Sequence, residues 1–314
     1  MSELQDALQE YLGMRHALGF ELRKLASGLR SFVAFVDRAG GAHITTELAL
    51  RWAMQPAQAR PATWADRLGM ARRFAAWRHG SDPRTEVPPQ GLLPHRYRRT
   101  APYLYTDQEI EQLLEAAARL PSTKGLRALT YVTVFGLLAV SGMRINEALG
   151  LDRADVDLGA GVLTIRRTKF GKSRLVPLHA STTAALQRYT ETRDRTLHAL
   201  TTRAFFISER GTRITDCMAR YTFAQVSQRI GLRQSTAGRR HGRGPRLHDM
   251  RHRFAARTLV EWYRAGLDAE RELPKLATYL GHVHVADTYW YLEAIPELLQ
   301  FATERLVEKR EGRA

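Results

Sequence analysis

Three short segments of the chain carry side chains that could act on a phosphodiester. His248-Asp-Met-Arg251 sets an imidazole and a guanidinium three positions apart, on one side of a helical segment. A phosphodiester needs a permanently charged fork for its non-bridging oxygens and a group that moves a proton near neutral pH, and Arg and His supply these. In Ser141-Gly-Met-Arg144, a small-residue break leads into a new helix whose first turn carries Arg144. The unpaired N–H groups of such a helix start already favour anions. Leu280-Gly-His282 is followed nine residues later by Tyr291. Gly281 reads as the cap that ends one helix, which leaves His282 in the junction before the helix bearing Tyr291. Taken singly, each has an ordinary explanation: a solvated face of an Arg-rich helix, one more surface arginine, and packed aromatics at Tyr289, Trp290 and Tyr291.

These groups can meet only if the surrounding elements bring them together. Up to about residue 80 the apolar spacing predicts four helices. Leu4, Ala7, Leu8, Tyr11 and Leu12 share one face, as do Leu22, Leu25, Leu29, Phe32, Val33 and Val36. A third helix opens at Thr45 or Thr46 and stops before Pro56, and a fourth runs from about Ala62 to Arg78 and ends at Gly80. From Asp82 to Pro102 the periodicity vanishes. Pro83, Pro88, Pro89, Pro94 and Pro102, with Arg84, Arg96, Arg98 and Arg99, read as a basic linker. The expected division is therefore a helical domain over 1–82, a linker over 83–103 and a second domain over 104–314.

The second domain opens with Thr106-Asp-Gln-Glu109, a capping-box pattern before Ile110, Leu113, Leu114 and Ala117. A buried helix near 127–140 follows. The stretch GVLTIRRTKFGKSRLVPL alternates on both sides of Lys169-Phe-Gly-Lys172 and predicts a hairpin with Gly171 in its turn. A short strand at Phe205–Ile207, a helix near Asp216–Ile230, an Arg-rich loop and about three further helices complete the expectation. The fold class is mainly α with a small antiparallel β-sheet.

Composition narrows the partner. The 314 residues hold 48 Lys plus Arg against 32 Asp plus Glu, a formal charge of +16, with ordinary globular shares of 44% hydrophobic and 25% charged residues. So large an excess on a folded chain calls for a polyanion, with nucleic acid first and a membrane surface second. The opening MSELQDALQE is polar and acidic where a secretory signal would be basic and then apolar, and Ala128–Val140 is too short to span a bilayer. A cytoplasmic protein is expected. Cys217 is the single cysteine, the histidines form no HExxH or Cys/His ligand set, and no phosphate-binding glycine motif occurs. No metal and no cofactor are expected.

In order, SGMRINEAL, TKFGKSRLVPL, LHDMRHRFA and LGHVHVADTYWY resemble the tyrosine recombinase, or phage-type integrase, family of site-specific DNA recombinases. The likeness covers about residues 104–295. It implies an α+β catalytic domain behind a core-binding, SAM-like helical bundle, and a catalytic set of Arg144, Lys169, His248, Arg251, His282 and Tyr291. On that resemblance Tyr291 attacks a DNA phosphate to give a 3′-phosphotyrosine, with His248 as its base. Arg144, Arg251 and His282 hold the phosphate, and Lys169 protonates the departing 5′-oxygen, with Lys172 as its rival. Glu147 orients its neighbours. The implied partners are double-stranded recombination sites and a homo-tetramer, or one shared with related recombinases, serving a mobile element. A C-terminal helix over about 294–311 packs on a neighbour or folds back on its own domain.

The loop from Arg233 to Arg246 holds arginines 233, 239, 240, 243 and 246 with three glycines, and reads as a flexible contact to DNA phosphates. Tyr289 lies two residues before the proposed nucleophile, about 200° around a helix, so both cannot face one phosphate. Two rival readings are a type IB topoisomerase and a DNA-binding regulator that has lost the reaction.

Overall fold

Caps and apolar faces set the first unit. Ser2 accepts the N–H of Gln5 at 3.2 Å and opens α1 (Glu3–Ala17), and Thr45 accepts that of Leu48 at 3.2 Å and opens α3 (Thr46–Met54). α2 spans Arg23–Arg38, and α4 (Pro61–His79) begins on a proline whose missing N–H costs nothing at that position. Leu8, Tyr11, Leu29, Phe32, Val36, Trp52, Leu68 and Phe74 meet in one core. The computed structural model describes residues 2–20, 22–94, 102–166, 173–197, 201–236, 239–282 and 284–294. The chain divides into two units, Met1–Thr100 and Ala101–Ala314.

The proline-rich stretch after α4 is fastened to the first unit through its described part. Arg72 donates to the carbonyls of Pro88 and Pro89 at 2.6 and 2.8 Å, Asp82 and Thr85 are buried, and Leu93 packs against the bundle core. The expected linker therefore starts as a strap on the bundle.

The second unit is built around α6 (Leu126–Ser141), whose Tyr131, Val134, Phe135, Leu137 and Leu138 are buried. α5 (Asp107–Ala118) packs on it, with both halves of the Thr106/Glu109 capping box formed. After α7 (Ile145–Gly150) and a 3-10 turn at Arg153–Asp155, three antiparallel strands follow: β1 (Val156–Asp157), β2 (Val162–Ile165) and β3 (Arg174–Pro177). Val162 pairs with Pro177 and Ile165 with Arg174, so the expected hairpin forms and gains β1 on its outer side. α8 (Ala180–Thr196) and α9 (Asp216–Arg229) flank the core.

Two expectations need correction. Phe205–Ile207 is no strand, because its backbone groups find scattered partners. Phe205 N–H donates to Leu151, Phe205 C=O accepts from buried Arg193, and Ile207 N–H donates to the Tyr189 hydroxyl. Only single bridges, Asp152 to Ala204 and Ile207 to Arg213, remain. The Arg-rich stretch is no plain loop: β4 (Gln234–Thr236) pairs antiparallel with β5 (Arg239–Arg243). α10 (Leu247–Arg264), α11 (Ala269–Leu280) and α12 (Ala286–Ala294) then share a small core of Ala255, Leu259, Leu273, Leu276, Leu280 and Tyr291. Overall the described residues are mainly α, with a small three-stranded antiparallel sheet and a separate two-stranded one.

Candidate active site

α6 ends on Gly142 in the left-handed region, with φ of 59°. A Cβ there would lie 2.5 Å from the Phe254 ring, so only glycine allows α6 to end this close to α10. Two residues on, Arg144 stands immediately before α7. Its backbone N–H donates to Glu147 at 2.9 Å, and its guanidinium donates to the same carboxylate at 3.0 Å. The other guanidinium bonds cross to the end of α11, to the carbonyls of Leu280 at 3.3 Å and Gly281 at 3.1 Å.

Arg251, on α10, reaches that turn from the other side. It is fully buried and donates to Gly142 C=O at 2.8 Å and to Leu280 C=O at 2.7 Å. Burial, and then the Arg144 charge, lower its pKa to about 10, which leaves it a cation at neutral pH. Arg174, at the start of β3, completes the frame. It grips Glu147 through both Nη atoms at 3.0 and 2.7 Å and donates from Nε to Tyr279 C=O at 2.8 Å. Burial would raise the Glu147 pKa, but the Arg174 hydrogen bonds, the Arg144 N–H and the two cations outweigh it and leave the carboxyl low.

The remaining polar groups line the junction between α11 and α12. Gly281 ends α11 with φ of 67°, and His282 follows, its Nδ1 2.7 Å from the hydroxyl of buried Thr288. Tyr291 lies one turn beyond Thr288 on the same face, 3% exposed, and its ring stacks at 6.4 Å on that of His282. Tyr289 is 43% exposed and faces away. The Tyr291 hydroxyl lies 3.2 Å from Nδ1 of His252 on α10, and the His252 ring meets that of His248 edge-on at 4.7 Å. His248 keeps an exposed face. Atoms crowding its other side, and then Arg251, lower its pKa. Burial lowers those of His252 and His282 to about 4, with His248 and Arg251 respectively as the next cause.

Five of the six expected site residues, Arg144, His248, Arg251, His282 and Tyr291, thus surround one turn. Lys169 and its rival Lys172 lie outside the described residues, as do Gly171 and the expected C-terminal helix. Of the Arg-rich segment, Arg233 bonds the carbonyls of Gly244 and Pro245, and Arg246 bonds Asp249 at the start of α10. Sequence reasoning missed His252, Arg174 and Thr288. His252 directly follows the His-x-x-Arg box, and Arg174 sits inside the hairpin segment, where only the alternation and the lysines drew a reading. Among the described residues, no group of three or more His, Cys, Asp or Glu side chains could hold a metal ion, and no helix is long and apolar enough to cross a membrane.

A mainly helical domain that gathers two arginines, histidines and a buried tyrosine around one turn is that of a tyrosine recombinase. The chain belongs to the phage integrase family, whose model matches residues 104–297. It is 51% identical to y4rB of Sinorhizobium fredii, named as an integrase/recombinase, over 100% of both chains. The fold is shared with the Tn1549 transposon integrase, solved with transposon right end DNA, at a TM-score of 0.65 and 17% identity over 96% of this chain and 99% of that one. It is also shared with lambda integrase, solved as a tetramer on a Holliday junction, at a TM-score of 0.57 and 17% identity over 90% and 77%.

Proposed function

We propose that this protein is a site-specific DNA recombinase of a mobile element that cuts and rejoins strands through a 3′-phosphotyrosine on Tyr291. The observation that carries this is the burial of Tyr291 beside the turn on which Arg144 and Arg251 converge. Family membership and the fold shared with a transposon integrase on its transposon end support the element. The fold shared with a tetrameric integrase on a junction supports work by a tetramer on double-stranded sites.

In the reaction, the Tyr291 oxygen bonds to phosphorus, the bond to the 5′-oxygen breaks, and that oxygen leaves with a proton from Lys169 or Lys172. Arg144, Arg251 and His282 meet the charge that grows on the non-bridging oxygens, the electrostatic task that metal ions perform in other phosphoryl-transfer sites. A phenol with pKa near 10 must also lose its proton to a neighbouring base, for which the sequence resemblance points to His248. The covalent intermediate conserves the phosphodiester, so rejoining draws on neither ATP nor a metal.

A nicked suicide duplex built from the DNA that flanks the gene tests this. The wild type should form a covalent adduct in EDTA without nucleotide, Tyr289→Phe should form it too, and Tyr291→Phe should not. Binding with no adduct would identify a regulator. Efficient relaxation of a plasmid of arbitrary sequence would identify a topoisomerase.

A further inference from the structure

We infer that His252, rather than His248, accepts the phenolic proton of Tyr291, an inference that rests on the strand-cleavage reading above. The geometry is direct: His252 Nδ1 lies 3.2 Å from the Tyr291 hydroxyl, with the ring centroids 5.5 Å apart and the planes at 57°. A general base must stand within hydrogen-bond reach of the proton it takes. His248 occupies the preceding turn of α10 and meets the far part of this pair, edge-on to the His252 ring. Its exposed face is suited to donating to a phosphate oxygen, not to deprotonating a buried phenol.

The surroundings of His252 fit an acceptor. Among the described residues, the groups around it include Arg246, His248, Asp249 and Arg251 on its own helix and Tyr291 on α12, with His282 stacked behind the tyrosine. Burial first, then the neighbouring His248, keep the ring neutral at pH 7, so one nitrogen offers a lone pair. A phosphate anion entering the site favours the protonated imidazole and so strengthens the base when substrate is present. In cleavage the proton moves from the phenol to His252 Nδ1 as the oxygen–phosphorus bond forms and the 5′-oxygen departs. In joining, the 5′-hydroxyl attacks, the bond to Tyr291 breaks, and the imidazolium returns the proton to the phenolate.

The test measures single-turnover adduct formation on the nicked duplex from about pH 7 to about pH 10 for the wild type, His252→Leu, His252→Asn and His248→Leu. At pH 7, His252→Leu should be slower by about a hundredfold or more. That gap should close about tenfold per pH unit as the phenol ionises unaided, with DNA binding retained. His252→Asn has an amide oxygen that can receive the hydrogen bond but not the proton, so it should be as slow as His252→Leu and just as sensitive to pH. Full activity in His252→Asn would show positioning alone and overturn the inference. So would a gap that does not change with pH, or a pH-sensitive gap found in His248→Leu instead. If the wild type forms no adduct at all, the cleavage reading fails and this one with it.

Discussion

Arg174 holds the buried carboxylate of Glu147 with both terminal nitrogens, at 3.0 and 2.7 Å, while Glu147 holds the backbone N–H of Arg144 at 2.9 Å. One carboxylate therefore couples the base of the β2–β3 hairpin to the arginine at the head of α7. The register of β3 against Arg144 is thus set through a carboxylate that the two arginines share.

Removing one side of this pair leaves the other as a buried, under-compensated charge. The Arg174 and Glu147 side chains are 10% and 8% exposed, and Arg144 remains as a second partner of the carboxylate. Arg174→Ala should therefore destabilise the second unit by about 2–4 kcal/mol, somewhat less than a fully orphaned buried ion. Denaturant unfolding measures it, and a loss below about 1 kcal/mol would show that Arg144 alone satisfies Glu147.

Glu209 makes a second, chemically separate latch. Its carboxylate accepts from the Ser122 hydroxyl, the Thr123 hydroxyl and the Lys124 N–H at 2.5, 3.1 and 2.9 Å, which ties the start of α6 to the 205–214 segment. Partial burial would raise its pKa, but these hydrogen bonds outweigh it and lower the value from 4.5 to about 2. The sign follows from the depressed pKa: the stabilisation is complete above about pH 4.5 and is lost as pH falls toward about 2. Glu209→Gln should thus melt below the wild type at pH 7, with the two melting temperatures converging across that window. A gap constant down to pH 2 would count against the latch.

Gly142 shows how the turn that gathers the arginines depends on a missing side chain. Gly142 and Gly125 both have positive φ, 59° and 74°, but an added Cβ meets the Phe254 ring at 2.5 Å in the first and nothing within 4 Å in the second. Gly125→Ala should cost about 1 kcal/mol of backbone strain. Gly142→Ala should cost about 1–3 kcal/mol more for overpacking. Equal losses in denaturant unfolding would mean that α10 yields freely to the intruding methyl.

Much of this architecture was legible in the chain because its signals are local. The Thr106/Glu109 box, the faces of α1 and α2 and the alternation around Lys169 each need only a few neighbours in sequence. α8 lacked such a signal: its buried positions are Leu186, Tyr189 and Arg193, and an arginine breaks the apolar pattern. Phe205–Ile207 misled because a short apolar run looks alike whether its backbone pairs with a strand or with single side chains. The expected site residues came from the wording of separate boxes. His252 was not, because its importance lies in contact with Tyr291 across two helices, which spacing within α10 cannot register.

Thr288 is the other residue whose role exists only in three dimensions. It is fully buried, and its hydroxyl lies 2.7 Å from His282 Nδ1. The His282 pKa, lowered to about 4 by burial and then by Arg251 and Arg144, makes the ring neutral at pH 7, so one nitrogen accepts and the other carries the proton. A Thr288 hydroxyl that donates to Nδ1 fixes the ring proton on Nε2, where the proposed reaction needs a donor to the phosphate oxygen. Thr288→Val keeps the shape but removes that bond, worth about 1 kcal/mol net, and leaves the ring orientation and tautomer unset. Adduct formation should fall about tenfold at unchanged DNA affinity, and Thr288→Ser should keep the wild-type rate. A serine variant as slow as the valine one would assign the loss to packing against α12, and a valine variant at full rate would leave His282 needing no partner at all.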